Sequence, residues 1–159
     1  MQTDPERRLE RDWRSMIRIS HDFFHAWRKA VADAYGEERA AELELSFWAE
    51  VGKGTANAYL ERGGDPEDLF RIVDVLRRAS DVMGEVSETV RGDDGVRLVH
   101  TRCPWPDGYR SRGLTAHCGD GCDAWFRATA YGINPAVTVT SECRIPDGAA
   151  TCTRLFSRA

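Results

Sequence analysis

The sequence predicts an α+β fold in which an N-terminal helical half packs on a C-terminal antiparallel sheet of two hairpins with an intervening helix. Residues 1–83 carry apolar side chains every three or four positions, which is the spacing of an amphipathic helix. After Gly84 the spacing shifts toward two, as in strands with one buried face. We therefore expect a single domain over residues 1–159, with a helical half at 1–83 and a cysteine-containing α+β half at 84–159.

Three helices are expected in the first half. Apolar positions at three- to four-residue steps over residues 13–31 indicate the first helix. The second follows Gly36 and ends at the glycine pair of residues 63–64, which is a strong stop sequence. The third is expected to begin with Asp65 as its N-cap, because Pro66 suits the first helical position.

The second half is expected to contain two hairpins separated by a helix, because short apolar stretches flank turn sequences rich in Gly, Pro and Asp. The predicted order of elements is strands at 86–90 and 96–103 around a turn at 92–95, a loop at 104–113, a helix from about 115 or 120 to 131, and strands at 136–143 and 151–156 around a turn at 146–148. This order of helices and strands is typical of an antiparallel sheet covered by helices.

The composition is that of an ordinary globular protein, with 30% charged and 42% hydrophobic residues. The net charge of -4 argues against a nucleic acid partner, which needs a clustered basic surface. No apolar run approaches the length of about 18 residues that spans a bilayer, and the N-terminus lacks the pattern of an export sequence. We expect a cytoplasmic protein with no membrane partner. A symmetric homodimer is the default oligomer.

All five cysteines lie in the C-terminal third of the chain. Their number is odd, so at least one thiol stands outside any full set of disulfides, and a cytosolic location keeps thiols reduced. Catalysis, metal binding and packing are the roles that remain. The five are Cys103, Cys118, Cys122, Cys143 and Cys152.

Cys118 and Cys122 carry the catalytic interpretation. They are spaced i, i+4 near the start of the predicted helix, where the positive end of the helix dipole lowers the pKa of a thiol. His117 and His100 are candidate bases for such a nucleophile, and Asp123 would orient a base or a water molecule. This arrangement predicts nucleophilic catalysis by one of the two thiols.

Two other roles for the cysteines remain open. Four thiolates could hold a structural zinc ion, although the spacings differ from the usual pairs of closely spaced cysteines. A thiol can also pack as a small apolar group, as expected for Cys143 on the same side of its strand as Val137 and Val139. Cys152 is expected opposite Cys143 on the other arm of the last hairpin. We expect no cofactor, with zinc as the alternative.

Two weaker patterns lie in the helical half. His21 and His25 are spaced i, i+4, which would let both rings share a metal ion, but the glutamate of the zinc-protease sequence is absent. The glycine-containing segment 52–55 resembles a phosphate loop but lacks the preceding strand and the contiguous Gly-Lys-Thr. A kink or a close helix crossing is the better interpretation of Gly52 and Gly54.

Aromatic side chains near the cysteines predict an apolar binding pocket. Trp105 and Tyr109 lie in a segment rich in proline and glycine, where they would act as lid residues. Trp125 and Tyr131 lie on the predicted helix of the second half. Each of them could instead be an aromatic residue of the core.

Four short motifs carry a resemblance to a known family. They are Arg102–Trp105, His117–Asp123, Gly132–Pro135 and Asp147–Cys152. Their order resembles that of the L-2-amino-thiazoline-4-carboxylic acid hydrolase-like family of small cytosolic proteins. The end of the chain also resembles vinyl-4-reductase-type ligand-binding domains, which share a mixed fold of helices and antiparallel sheet. The matching motifs cover about residues 98–158.

The resemblance to the hydrolase-like family implies hydrolysis of a C–N or C–S bond in a small heterocyclic or amide-like compound. It places Cys103, Cys122, Asp123 and Cys152 at matching positions, whereas Cys118 and Cys143 are additions in this chain. The alternative function is a non-enzymatic ligand-binding module of the vinyl-4-reductase type with a structural zinc or cysteine cluster. A third is a structural partner that dimerises through its helical half.

Overall fold

The computed structural model describes residues 4–158. Its elements, in chain order, are α1 Asp4–Tyr35, α2 Glu37–Glu61, α3 Leu69–Val82, β1 Val86–Gly92, β2 Gly95–Arg102, α4 Trp105–Arg110, α5 Thr115–Ile133, β3 Val137–Cys143, a 3₁₀ turn Ile145–Asp147, and β4 Cys152–Arg158. A helical N-terminal half is followed by a four-stranded antiparallel sheet, which confirms the predicted fold class.

The chain divides into two compact units, Met1–Ala40 and Ala41–Ala159. The prediction of a single domain stays a prediction. Across residues 4–158, no helix combines the length and the apolar character that crossing a membrane requires. In the first unit α1 buries Phe24 but leaves Trp13 and Phe23 exposed, so only part of the predicted apolar stripe is covered.

The sheet has the strand order β1-β2-β4-β3, so the two predicted hairpins meet through β2 and β4. Every pairing is antiparallel, and Val96 of β2 lies opposite Phe156 of β4. Alternate side chains of these central strands are buried, including Leu98 and Phe156, which are fully covered. One face of the sheet therefore carries the core, as the two-residue period predicted.

Helices α3 and α5 cover that face with Ile72, Leu76 and Phe126. Helix α2 crosses α5 closely at Gly52, where a Cβ atom would lie 2.6 Å from the Trp125 carbonyl oxygen. The Thr129 hydroxyl donates a hydrogen bond to the Gly52 carbonyl at 3.1 Å. Gly52 thus serves as the close helix crossing that the sequence predicted.

Two local predictions were wrong. Asp68, and not Asp65, is the N-cap of α3, because its carboxylate accepts a hydrogen bond from the Arg71 amide at 3.0 Å. The predicted loop at 104–113 contains the short helix α4. A proline at its start suits the first helical turn, and the four-residue spacing of Trp105 and Tyr109 buries both rings on one face.

Candidate functional site

The second unit contains a partly open cavity of about 350 Å³, which lies at the lower end of the range for small-molecule sites. Its walls come from α2, the end of α3 and the following turn, α4 and α5. The lining residues are Trp48, Val51, Thr55, Ala79, Ser80, Val82, Met83, Glu85, Trp105, Tyr109, Cys118, Cys122, Trp125 and Phe126.

The end of α3 positions the one carboxylate among these lining residues, that of Glu85. Gly84 adopts a left-handed φ of 81°, which a glycine tolerates without a steric penalty. The Gly84 amide then donates to the Asp81 carbonyl at 3.0 Å, and the Glu85 amide donates to the Ser80 carbonyl at 3.1 Å. These two hydrogen bonds form a Schellman motif, so the end of α3 fixes the backbone position of Glu85.

Glu85 is held by a buried histidine of the sheet. The Nε2 atom of His100 lies 2.9 Å from Glu85 Oε2 and 3.0 Å from the Ser80 hydroxyl. Only 9% of the Glu85 side chain and 3% of the His100 side chain are exposed. Within residues 4–158, no group donates to the other Glu85 oxygen, Oε1. The carboxylate is therefore anchored at Oε2, and Glu85 is one of the residues that line the cavity.

Aromatic rings form most of the remaining wall. Trp48 and Trp105 meet edge to face with ring centroids 5.2 Å apart, and Trp125 packs on Phe126 at 4.6 Å. The Trp125 indole donates to the Thr55 hydroxyl at 3.2 Å, which fixes that ring.

Tyr109 is fixed at the same wall by a charged group behind it. Its hydroxyl donates a hydrogen bond of 2.5 Å to the buried carboxylate of Glu44. Burial, followed by the charge of Glu44, raises the pKa of Tyr109, so the phenol stays protonated at neutral pH. Trp105 and Tyr109 lie in the cavity wall as part of α4, whereas the sequence analysis placed them in a loop.

Cys118 and Cys122 both line the cavity. Burial, opposed in part by the charge of Arg154, raises the pKa of Cys122 to about 12. Burial and the neighbouring Cys122 likewise raise the pKa of Cys118. The expectation that the helix start lowers these pKa values was wrong, because removal of the thiols from water outweighs the helix dipole. Both groups are neutral thiols at physiological pH.

The remaining cysteines lie outside the cavity lining, and all five are free thiols. Burial and the nearby charge of Glu85 raise the pKa of Cys103. The buried Cys152 sulfur accepts a hydrogen bond from the Ile145 amide at 3.1 Å. Cys143 shares the inward side of β3 with Val137 and Val139, but the residue opposite it is Thr153, because a register shift displaces Cys152.

Asp123 belongs to a buried ion-pair network that lies outside the cavity lining. It accepts hydrogen bonds from Arg154 at 2.9 Å, from Ser141 at 2.7 Å and from Arg144. Burial alone would raise the pKa of Asp123, but the Ser141 hydrogen bond and the charge of Arg154 lower it below the ordinary value. Arg154 itself is buried, with its guanidinium 4.6 Å from the centre of the Phe126 ring.

The geometry of α5 explains which predicted site residues come together. Successive residues of a helix are rotated by about 100°, so Cys118, Cys122 and Trp125 share one stripe that faces the cavity. His117 and Asp123 lie off this stripe. Tyr131 falls on the opposite side, where 65% of the residue is exposed, and it does not line the cavity.

No group of three His, Cys, Asp or Glu side chains within residues 4–158 is arranged to hold a metal ion. The zinc site that the sequence analysis kept as an alternative stays a prediction. His21 and His25 are both buried, and they form no such group either.

Nine of the fourteen wall residues were not predicted as part of the site, and Trp48 and Glu85 are the two that matter most for its chemistry. Trp48 precedes the first cysteine by more than fifty positions in sequence and belongs to another helix, so no local motif connects it with the site. Glu85 directly follows Gly84, which the sequence analysis used only to mark the change from helical to strand spacing. The acidic residue directly after this glycine is the one local pattern from which Glu85 could have been predicted.

The comparison with solved structures shows a fold known in a sensory protein. The chain matches the crystal structure of the phenol-responsive sensory domain of the transcription activator PoxR with phenol, with a TM-score of 0.62. The two share 14% sequence identity over 87% of this chain and 74% of the other, which shows a similar fold. No curated protein matches the chain significantly in sequence.

The sequence itself carries a family assignment that covers most of its length. Residues 16–156 match the family described as L-2-amino-thiazoline-4-carboxylic acid hydrolase. The match includes every cavity-lining residue and the four motifs that suggested this relation. The likeness to vinyl-4-reductase-type domains stays a prediction. The chain therefore belongs to the L-2-amino-thiazoline-4-carboxylic acid hydrolase family.

Proposed function

We propose that the protein is a small-molecule hydrolase that cleaves a C–N or C–S bond of a heterocyclic or amide-like substrate in the aromatic cavity, with Glu85 as the general base. One observation carries this proposal: a nearly buried carboxylate, held at Oε2 by His100, lines a cavity whose other lining residues are mostly apolar. A base in such a place can take a proton from a water molecule that is shielded from bulk solvent. The family name supports the same reaction class.

The pKa values of the thiols favour Glu85 over a cysteine nucleophile. Cys122 is almost entirely protonated at neutral pH when its pKa is raised to about 12. The imidazole of His117 does not line the cavity, so it is not placed to accept that proton. Glu85, in contrast, is the one carboxyl group among the lining residues, and a positioned carboxylate is a common general base in enzymes. The thiols of Cys118 and Cys122 instead supply polarizable wall atoms beside the substrate.

The proposed step is a general-base hydrolysis. Glu85 Oε1 removes a proton from water as the water oxygen bonds to the electrophilic carbon of the substrate. The bond from that carbon to the leaving nitrogen or sulfur then breaks, and the protonated Glu85 returns its proton to the leaving atom. The contact of 2.9 Å between His100 Nε2 and Glu85 Oε2 holds that oxygen in place throughout, which leaves Oε1 for the proton transfer.

A second candidate function is ligand binding without turnover. It is favoured by the predominance of aromatic and aliphatic residues in the cavity wall and by the similarity of the fold to a sensory domain described as phenol-responsive. In that case the rings of Trp48 and Trp105 would enclose a ligand, and Glu85 would serve for recognition only.

The two functions separate in a turnover assay that follows ring opening by NMR. The substrates are L-2-amino-thiazoline-4-carboxylic acid and the same heterocycle without its carboxylate. Hydrolysis that Glu85→Gln reduces by about a hundredfold or more, but that Cys122→Ala and Cys118→Ala retain, supports the proposal. The exposed Glu88→Gln is the matched control on the adjacent strand.

Two results of that assay would contradict the general-base mechanism. Loss of turnover in Cys122→Ala with full turnover in Glu85→Gln would restore the cysteine nucleophile of the sequence analysis. Binding of the heterocycles without any ring opening would favour the ligand-binding function.

A further inference from the structure

We infer that the cavity selects a small organic cation and rejects a free carboxylate. This inference deepens the proposed function, because it names the substrate class of the same cavity. It rests on the identity of the charged and aromatic groups in the wall, and it can be tested by binding alone. The family name includes a carboxylic acid, so the inference separates this chain from the compound in that name.

The charge of the wall is negative. Glu85 is the single carboxylic acid among the lining residues, and those residues include no lysine, arginine or histidine. His100 contacts Glu85 from behind through Nε2, and its Nδ1 atom is buried without a hydrogen-bond partner among residues 4–158.

The other nearby charges are occupied or lie outside the cavity. The Arg154 guanidinium is paired with Asp123 and does not line the cavity. Glu44 adds a second negative charge behind Tyr109, with which it shares a hydrogen bond. Three exposed arginines, Arg62, Arg71 and Arg78, line an adjoining surface depression. An anion therefore has a place to bind on the surface but no partner inside the cavity.

The aromatic walls add to the same preference. The faces of indole and phenyl rings attract a cation, most strongly where water is excluded. Trp48, Trp105 and Trp125 all line the cavity that also contains the Glu85 carboxylate. A planar cation such as an amidinium can place its N–H groups on Glu85 Oε1 and its flat body between the rings. An anion of the same shape would meet the carboxylate instead.

The volume limits the size of the ligand. About 350 Å³ corresponds to the space of on the order of ten water molecules. A single substituted ring is of the size that fills this space. The inferred ligand class is therefore a monocyclic amidinium, guanidinium or ammonium compound.

The test is calorimetric binding of three probes of nearly equal shape: benzamidinium, phenol and benzoate. We expect benzamidinium to bind tightest, phenol to bind more weakly, and benzoate to fail to displace either from the cavity. In Glu85→Gln the advantage of benzamidinium over phenol should fall by on the order of 30-fold, because a buried charge partner is lost. Glu88→Gln should leave the advantage unchanged.

Benzoate that competes with benzamidinium at similar affinity would overturn the inference, and so would an advantage of benzamidinium that persists in folded Glu85→Gln. The ranking in the unmodified protein decides the matter even if Glu85→Gln does not fold. The outcome is also separable from that of the proposed function. Selective binding of benzamidinium without hydrolysis of any heterocycle would uphold the ligand class while refuting the hydrolase.

Discussion

Replacement of Asp123 by asparagine tests whether this residue stabilises the fold or assists catalysis. The sequence analysis assigned Asp123 to the catalytic group, whereas its carboxylate is 3% exposed and bonded to Arg154, Arg144 and Ser141. Arg154 is equally buried, with 2% of its side chain exposed. Asparagine keeps the shape of the side chain but removes the negative charge and turns one acceptor into a donor that faces the guanidinium groups.

The expected loss of stability is about 3–5 kcal/mol, which is typical when one partner of a buried ion pair is removed and the other stays charged. For a protein of this size such a loss lowers the melting temperature by roughly 10 °C. Urea unfolding followed by circular dichroism measures it. Asp120→Asn is the control, because Asp120 pairs with the same Arg144 but 56% of its side chain is exposed. That variant should lose less than about 1 kcal/mol.

The pH dependence gives an independent check. The pKa of Asp123 is lower in the folded protein than in the unfolded chain, so its contribution is present above the unfolded value of about 3.9. The contribution is lost as the pH falls through the lower, folded value. The gap in stability between the unmodified protein and Asp123→Asn should therefore narrow below about pH 4. An Asp123→Asn variant with unchanged stability but no turnover would refute the structural role.

Three further outcomes are expected. Gly52→Ala should lose about 1–3 kcal/mol of stability in urea unfolding, because its Cβ would meet the Trp125 carbonyl. Gly54→Ala is the control, because no atom lies within 4 Å of its Cβ, and it should gain up to about 1 kcal/mol. Alkylation at pH 7.5 followed by mass spectrometry should label Cys143 before Cys122. Hydrogen bonding with Thr151 lowers the pKa of Cys143, whereas burial raises the pKa of Cys122. Labelling of Cys122 first would contradict these directions of the two pKa shifts. We propose a homodimer that covers the exposed Phe23 side chain of α1. Light scattering should report a dimer for the unmodified protein and a monomer for Phe23→Glu. A monomeric unmodified protein would refute the proposal.

Local patterns were sufficient to predict most of the fold. The glycine-containing turns at 92–95 and 146–148 and the alternation around them predicted both hairpins, because strand period and turn chemistry are properties of adjacent residues. The N-cap of α3 was misplaced because Asp65 and Asp68 both precede apolar positions. Asp65 in fact accepts a hydrogen bond from the Glu67 amide at 2.8 Å, which makes a turn before the helix.

The site was less predictable, since it depends on burial. The spacing of Cys118 and Cys122 correctly indicated that both thiols share a helix face, but not that the face would exclude water. Exclusion of water reverses the expected direction of the pKa shift at Cys122. The exclusion of water depends on Trp48 of α2, which packs against α5 at Gly121. A Cβ atom at position 121 would lie 2.6 Å from the Trp48 ring.

The same exclusion of water links the thiols to the carboxylate. An apolar wall that keeps Cys122 protonated also strengthens any interaction of Glu85 with a charged ligand, because the effective dielectric constant is lower there than in water. A cysteine nucleophile would need a wetter or more positive wall, whereas cation recognition and general-base catalysis by Glu85 both benefit from a dry and negative one. The aromatic wall and the single carboxylate therefore act together: the turn at Gly84 places Glu85 after the end of α3, and the tryptophans form the apolar wall beside it.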